Sequence, residues 1–156
     1  MERGVERTAV GPIRLTVTVN RPPQEAFRIF TERFGDWWPI HEYSIGRDRT
    51  EKAVFEPWEG GRVYEVMEGG REATWGWVTR WNPPHRVGLG WQTNPQAPGP
   101  TELTVTFSPE GAGARVEVDH RGWEIYGDAA PAAHEEYEIG WQTTLPLFAA
   151  HANGTA

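Results

Sequence analysis

Trp75-Gly76-Trp77-Val78-Thr79-Arg80-Trp81-Asn82-Pro83-Pro84-His85-Arg86-Val87-Gly88-Leu89-Gly90-Trp91 reads as a strand, a break and a second strand. Trp75, Trp77, Thr79 and Trp81 fall at alternate positions, so a strand over Ala73–Trp81 is expected to carry a row of indoles on one face. Asn82-Pro83-Pro84 ends that strand, because proline has no N–H to give to a ladder. Val87, Leu89 and Trp91 then alternate again.

The same grammar extends in both directions. Upstream, Ala53–Glu56 leads into Trp58-Glu59-Gly60-Gly61, a turn where glycine accommodates positive φ, and Arg62–Met67 returns as a strand closed by Gly69-Gly70. Downstream, the proline-rich loop Asn94–Pro100 precedes an alternation of Leu103, Val105 and Phe107. Gly111-Ala112-Gly113 then turns into Arg115–Arg121, with Val116 and Val118 on its apolar face. Near the start, Ile13, Leu15, Val17 and Val19 face opposite to Arg14, Thr16 and Thr18.

Helical periodicity appears twice. Pro22-Pro23 suits a first helical turn, and Ala26, Phe27, Ile29, Phe30 and Phe34 continue it over about 22–34. Gly35–Ser44 is expected to hold a short second helix or turn and then a loop. Tyr137, Trp141, Leu145 and Phe148 recur at helical spacing, which predicts a helix over Ala130–His151, with a kink or break near Gln142 caused by Pro146. The predicted class is α+β: strand, two short helices, about six antiparallel strands and one long C-terminal helix. Residues 1–11 are polar and aperiodic and read as a loose tail, leaving 12–152 as one domain.

Composition narrows the chemistry. At 156 residues and 17.6 kDa the chain can bury a full core without disulfides or a structural metal. It has no cysteine, which excludes disulfides, thiolate metal sites and cysteine nucleophiles. A net charge of -7 argues against a nucleic-acid footprint and against docking on anionic lipid. MERGVERTAVGP has no apolar run behind its charges, and no stretch approaches a membrane span, so a cytoplasmic protein is expected. On the same ground the sequon at Asn153 carries no weight. Nine tryptophans admit two readings, a core built of rings or an aromatic-lined cavity.

Five stretches together resemble a known family. They are Val19-Asn20-Arg21-Pro22-Pro23-Gln24-Glu25-Ala26-Phe27, Phe55-Glu56-Pro57-Trp58-Glu59-Gly60-Gly61-Arg62, Gly76 to Val87, His120-Arg121-Gly122-Trp123 and Gly140-Trp141-Gln142-Thr143-Thr144-Leu145-Pro146-Leu147. In the last, Phe148 holds the position of the family's final leucine. In this order, over about residues 13–149, they are similar to the activator-of-Hsp90-ATPase homologue-like (AHSA1-like) family of the START/Bet v 1 (SRPBCC) superfamily. The resemblance implies a helix-grip fold, a curved antiparallel sheet wrapped around the long C-terminal helix with a cavity between them. Superfamily members bind sterols, lipids or polyketides, some are cyclases and others contact proteins, so the fold alone does not settle function.

Candidate site residues each have a plain alternative. His134-Glu135-Glu136-Tyr137-Glu138 begins like a zinc-protease helix, but Glu138 stands where the second histidine belongs, and a solvated acidic first turn is the better reading. Gly111-Ala112-Gly113-Ala114 lies between strands and is no dinucleotide loop. His41, Glu42 and Tyr43 share the loop that the fold places near the cavity mouth, where they are either acid–base groups or ordinary loop residues. Trp37 and Trp38 are either a lid or packing. His120 is in phase with Val116 and Val118 and should point inward, satisfied by Tyr43 or Tyr137, as a core histidine or a cavity polar group. The Trp75/Trp77/Trp81 row lines the pocket if it is concave, and otherwise packs on a helix or a partner.

The expected ligand-binding set is therefore Trp37, Trp38, His41, Tyr43, Trp75, Trp77, Trp91, His120, Tyr137 and Trp141, with His41, Glu42 and His120 as catalytic candidates. No metal or cofactor is expected. Three functions fit: a binder of an apolar or aromatic small molecule, a cofactor-independent cyclase-, dehydratase- or hydrolase-like enzyme on a hydrophobic compound, and a protein-interaction module. A monomer or homodimer is compatible with each, and a chaperone is a further partner to consider.

Overall fold

In the computed structural model, which describes residues 10–154, the alternation of the first strand is carried through. Strand β1 (Ile13–Val19) buries Ile13 and Val19 and exposes Arg14, Thr16 and Thr18. Residues 1–9 of the expected tail lie outside the described residues. Helix α1 (Pro23–Thr31) starts on its proline as expected but stops before Phe34, and the chain restarts as the one-turn α2 (Phe34–Trp37). The remaining strands are β2 (Thr50–Phe55), β3 (Arg62–Met67), β4 (Glu72–Asn82), β5 (Arg86–Trp91), β6 (Thr101–Glu110) and β7 (Gly113–Arg121). A 3₁₀ segment over Trp123–Ala129 leads into the long helix α3 (Ala130–Gly154).

All seven strands form one antiparallel sheet in the order β1-β7-β6-β5-β4-β3-β2. The sheet curls into a half-barrel around α3, the α+β helix-grip fold. Its core is largely aromatic. Phe27 and Phe30 of α1 meet Phe107 of β6 at centroid distances of 5.1 and 5.9 Å, and Phe148 of α3 meets Phe30 and Trp37 at 5.2 and 5.4 Å. Edge-on pairs of this kind add about 0.5–1.5 kcal/mol each beyond burial.

Two expectations are corrected. The indole row does not occupy one face. The β3–β4 register passes from Val63↔Gly76 to Tyr64↔Thr74, which leaves Trp75 as an extra residue, and the β4–β5 register passes from Val78↔Leu89 to Arg80↔Gly88, which leaves Thr79 as another. Each bulge inserts one residue and so flips the alternation. Trp75 is fully buried, Trp77 is 46% exposed on the outer face, and Trp81 returns inward against Phe27 at 5.0 Å. Between the bulges Gly76 and Val78 take the inward positions. Glycine is required at 76, because a Cβ there would lie 2.1 Å from the Gly90 carbonyl oxygen. The second correction concerns Pro146. Helix α3 runs through it without a break. Gln142 and Pro146 both lie on the exposed face, where water can take up the carbonyl that proline leaves unpaired.

Candidate functional site

The aromatic walls come from three separate elements. Trp38, just past α2, donates its indole N–H to the Tyr43 carbonyl at 2.7 Å. Its ring lies 5.7 Å from Trp75, 6.1 Å from Trp91 and 6.0 Å from Trp141. Beyond this indole cluster opens a cleft of about 870 Å³, bounded by the 38–47 segment, the end of β5 with the loop after it, and one stripe of α3. Tyr137 of α3 and Thr93 of the β5–β6 loop close one side through a hydroxyl–hydroxyl bond of 2.9 Å.

The 38–47 segment has little regular structure, so something outside it must hold it. Glu65 does this. It is in phase with Val63 and Met67 on β3 and fully buried. Its carboxylate accepts from the backbone N–H groups of Ile45 (2.6 Å) and Gly46 (2.7 Å), from Thr50 Oγ1 (2.8 Å) and from the Trp75 indole (2.6 Å). Four donors offset the cost of burying a carboxyl group. Glu65 thereby ties the cleft's outer lip to the sheet.

His120 is built into the wall behind the cleft. Its Nδ1 accepts from the Trp141 indole at 3.0 Å, so the proton sits on Nε2, which donates to Thr101 Oγ1 at 2.6 Å. Thr101 in turn donates to the Trp91 carbonyl at 3.1 Å. Burial pushes the imidazole down to about 3, with His134 adding to the effect and Asp119 opposing it, so it stays neutral. The partners expected from sequence, Tyr43 and Tyr137, are replaced by Thr101 and Trp141. Tyr137 meets the imidazole only edge-on, at 5.2 Å. Sealed from solvent with both nitrogens engaged, His120 orients Trp141 and does not reach the cleft.

Of the residues singled out from sequence, Trp38, His41, Glu42, Tyr43, Trp91, Tyr137 and Trp141 line the cleft. Trp37, Trp75 and His120 stand behind it in the core, and Trp77 is on the opposite face of the sheet. His41 and Glu42 are exposed on the rim, and His41 Nδ1 lies 3.3 Å from the Arg47 carbonyl. Tyr126, Thr93 and Thr144 were not anticipated. Burial pushes the Tyr126 phenol up to about 12, reinforced by Tyr137 and Glu136, so it is a hydrogen-bond donor at neutral pH. Its place in the irregular 122–129 segment left no periodicity to read. Glu65 did leave a signal, a carboxylate in phase with two apolar residues of a strand. Among the described residues no three His, Cys, Asp or Glu side chains cluster as metal ligands would.

A half-barrel sheet gripping a C-terminal helix, with an aromatic cleft at one end, defines a helix-grip protein of the SRPBCC class. Within that class the chain belongs to the activator of Hsp90 ATPase homolog 1-like family, whose model matches residues 20–153. No curated protein matches it. Among solved structures it is similar to Txn09, described as an anthrahydroquino-γ-pyrone synthase complexed with SUM, at 33% identity and a TM-score of 0.62 over 92% of this chain and 97% of that one. It is also similar to CalC, a self-sacrificing resistance protein from Micromonospora echinospora, at 30% identity and a TM-score of 0.69 over 91% and 94%. CV1439 from Chromobacterium violaceum shares the fold at 21% identity and a TM-score of 0.66 over 93% and 99%. No helix among the described residues is long and apolar enough to cross a membrane.

Proposed function

We propose that this protein binds a planar aromatic small molecule in the cleft between α3, the end of β5 and the 38–47 segment. The observation that carries the reading is convergence: Trp38 and Tyr43 of the 38–47 segment, Trp91 of β5, and Tyr137 and Trp141 of α3 come from three separate parts of the sequence and present rings to one space. That space, about 870 Å³, falls within the roughly 300–1,000 Å³ of small-molecule sites, which combine apolar walls with a few polar groups. The similarity to an anthrahydroquino-γ-pyrone synthase supports a multi-ring ligand. The described tryptophans serve as the reporter. Titration with 9,10-anthraquinone is expected to quench their fluorescence saturably, and Tyr43→Ala to weaken that binding about tenfold through loss of a ring wall. Absence of saturable binding by a folded protein would sink the proposal.

One observation favours a second reading, a cofactor-independent catalyst on the same class of compound. His41 and Glu42 stand together on the rim, able to exchange protons with water and with a seated ligand. His41→Ala separates the two. A binder changes only in affinity, whereas a catalyst loses turnover and still binds.

A further inference from the structure

Helix α3 presents Gly140, Trp141, Thr143 and Thr144 to the cleft. The two neighbouring threonines behave differently. Thr143 donates its hydroxyl back to the Ile139 carbonyl at 3.0 Å, the usual way a helical threonine is satisfied. Thr144 is 1% exposed, and its Oγ1 is buried with no hydrogen-bond partner. An unpaired buried hydroxyl is costly and is expected to have a reason. One turn earlier on the same stripe, Gly140 offers no side chain, and Tyr43 faces it across the cleft, 3.6 Å from where a Cβ would stand. The helix wall is therefore lowest beside the one hydroxyl of the stripe that has nothing to bond.

We propose that Thr144 is a specificity-determining residue of the cleft, donating a hydrogen bond to a carbonyl oxygen on the ring system of the bound molecule. This inference rests on the binding reading above and refines its ligand class from planar aromatic to oxygen-bearing planar aromatic. Oγ1 is closed to solvent, so engagement takes a rotation about χ1 to another staggered position, one that turns the hydroxyl to the cleft. A bound carbonyl then supplies the acceptor that the protein does not.

The test uses a matched pair, 9-fluorenone and fluorene, which differ by one carbonyl group, measured by equilibrium dialysis against the full chain. The readout is the ratio of the two affinities. That ratio is expected to fall about tenfold in Thr144→Val and to be largely restored in Thr144→Ser, as loss and return of one buried hydrogen bond require. Thermal unfolding checks that the valine variant is folded, and it should melt no lower than the parent because the unpaired hydroxyl is gone. A ratio equal to the parent's within about twofold in folded Thr144→Val overturns the inference and leaves the binding site standing. Failure of both compounds to bind the parent protein overturns the binding reading, and this inference falls with it.

Discussion

His120 illustrates what a single residue contributes when each of its polar atoms has an assigned partner. Trp141, His120, Thr101 and the Trp91 carbonyl form one chain of hydrogen bonds running from α3 through β7 to β6 and β5. The chain works only with neutral imidazole, since protonation would turn Nδ1 from acceptor to donor and set two donors against each other. The imidazole's value falls from 6.5 in the unfolded chain to about 3 in the folded one. Below pH 6.5 the unfolded chain therefore takes up a proton that the native state refuses. Stability supplied by this residue is full above that value and is lost as the pH falls toward 3. The loss is about 2 kcal/mol between pH 8 and pH 5, at ~1.4 kcal/mol per unit. Urea unfolding at the two pH values should show this extra loss in the parent and not in His120→Gln, which keeps one donor and one acceptor. An equal pH dependence in both would mean that His120 titrates normally. The inward direction of this histidine was legible from its phase with Val116 and Val118. Its partners were not, because Thr101 and Trp141 are 19 and 21 residues away in sequence.

At the scale of the element, β4 shows why strand faces cannot be read from alternation alone. Two bulges within eleven residues reverse the pattern twice, so Trp75 and Trp81 face inward and Trp77 outward. The consequence is measurable. Trp77→Thr should change stability by no more than about 0.5 kcal/mol, as surface substitutions usually do. Trp75→Leu should cost at least about 3 kcal/mol, through a cavity and through a donor lost from the buried Glu65 carboxylate. Comparable losses for the two would mean that the bulges are misplaced. Helix α3 gives the opposite lesson. Its periodicity was readable from Tyr137 to Phe148, and the interruption expected near Gln142 does not occur because residues 142 and 146 face water.

For the molecule as a whole, the cleft and the core share residues. Trp38, Trp91 and Trp141 are buried core members and cleft walls at once. A ligand seated there binds the native state and finds no site in the unfolded chain. At a hundred times its dissociation constant it should stabilise the fold by about 3 kcal/mol, which for a chain of this size raises the melting temperature by roughly 6–12 °C. A ligand that quenches tryptophan fluorescence without raising the melting temperature would be binding elsewhere, or equally well to unfolded chains. By itself the sequence determined the element order, the antiparallel sheet, the long C-terminal helix and most of the rings around the cleft. Hydrophobic period, proline and glycine act over a few residues, and their signals are local. Only the tertiary structure decided which face each β4 indole takes, that Glu65 holds the cleft's lip, that His120 is sealed behind Trp141, and that Thr144 is left without a partner. Those outcomes depend on register and on hydrogen bonds between groups distant in the chain, which exist only once the sheet has closed around the helix.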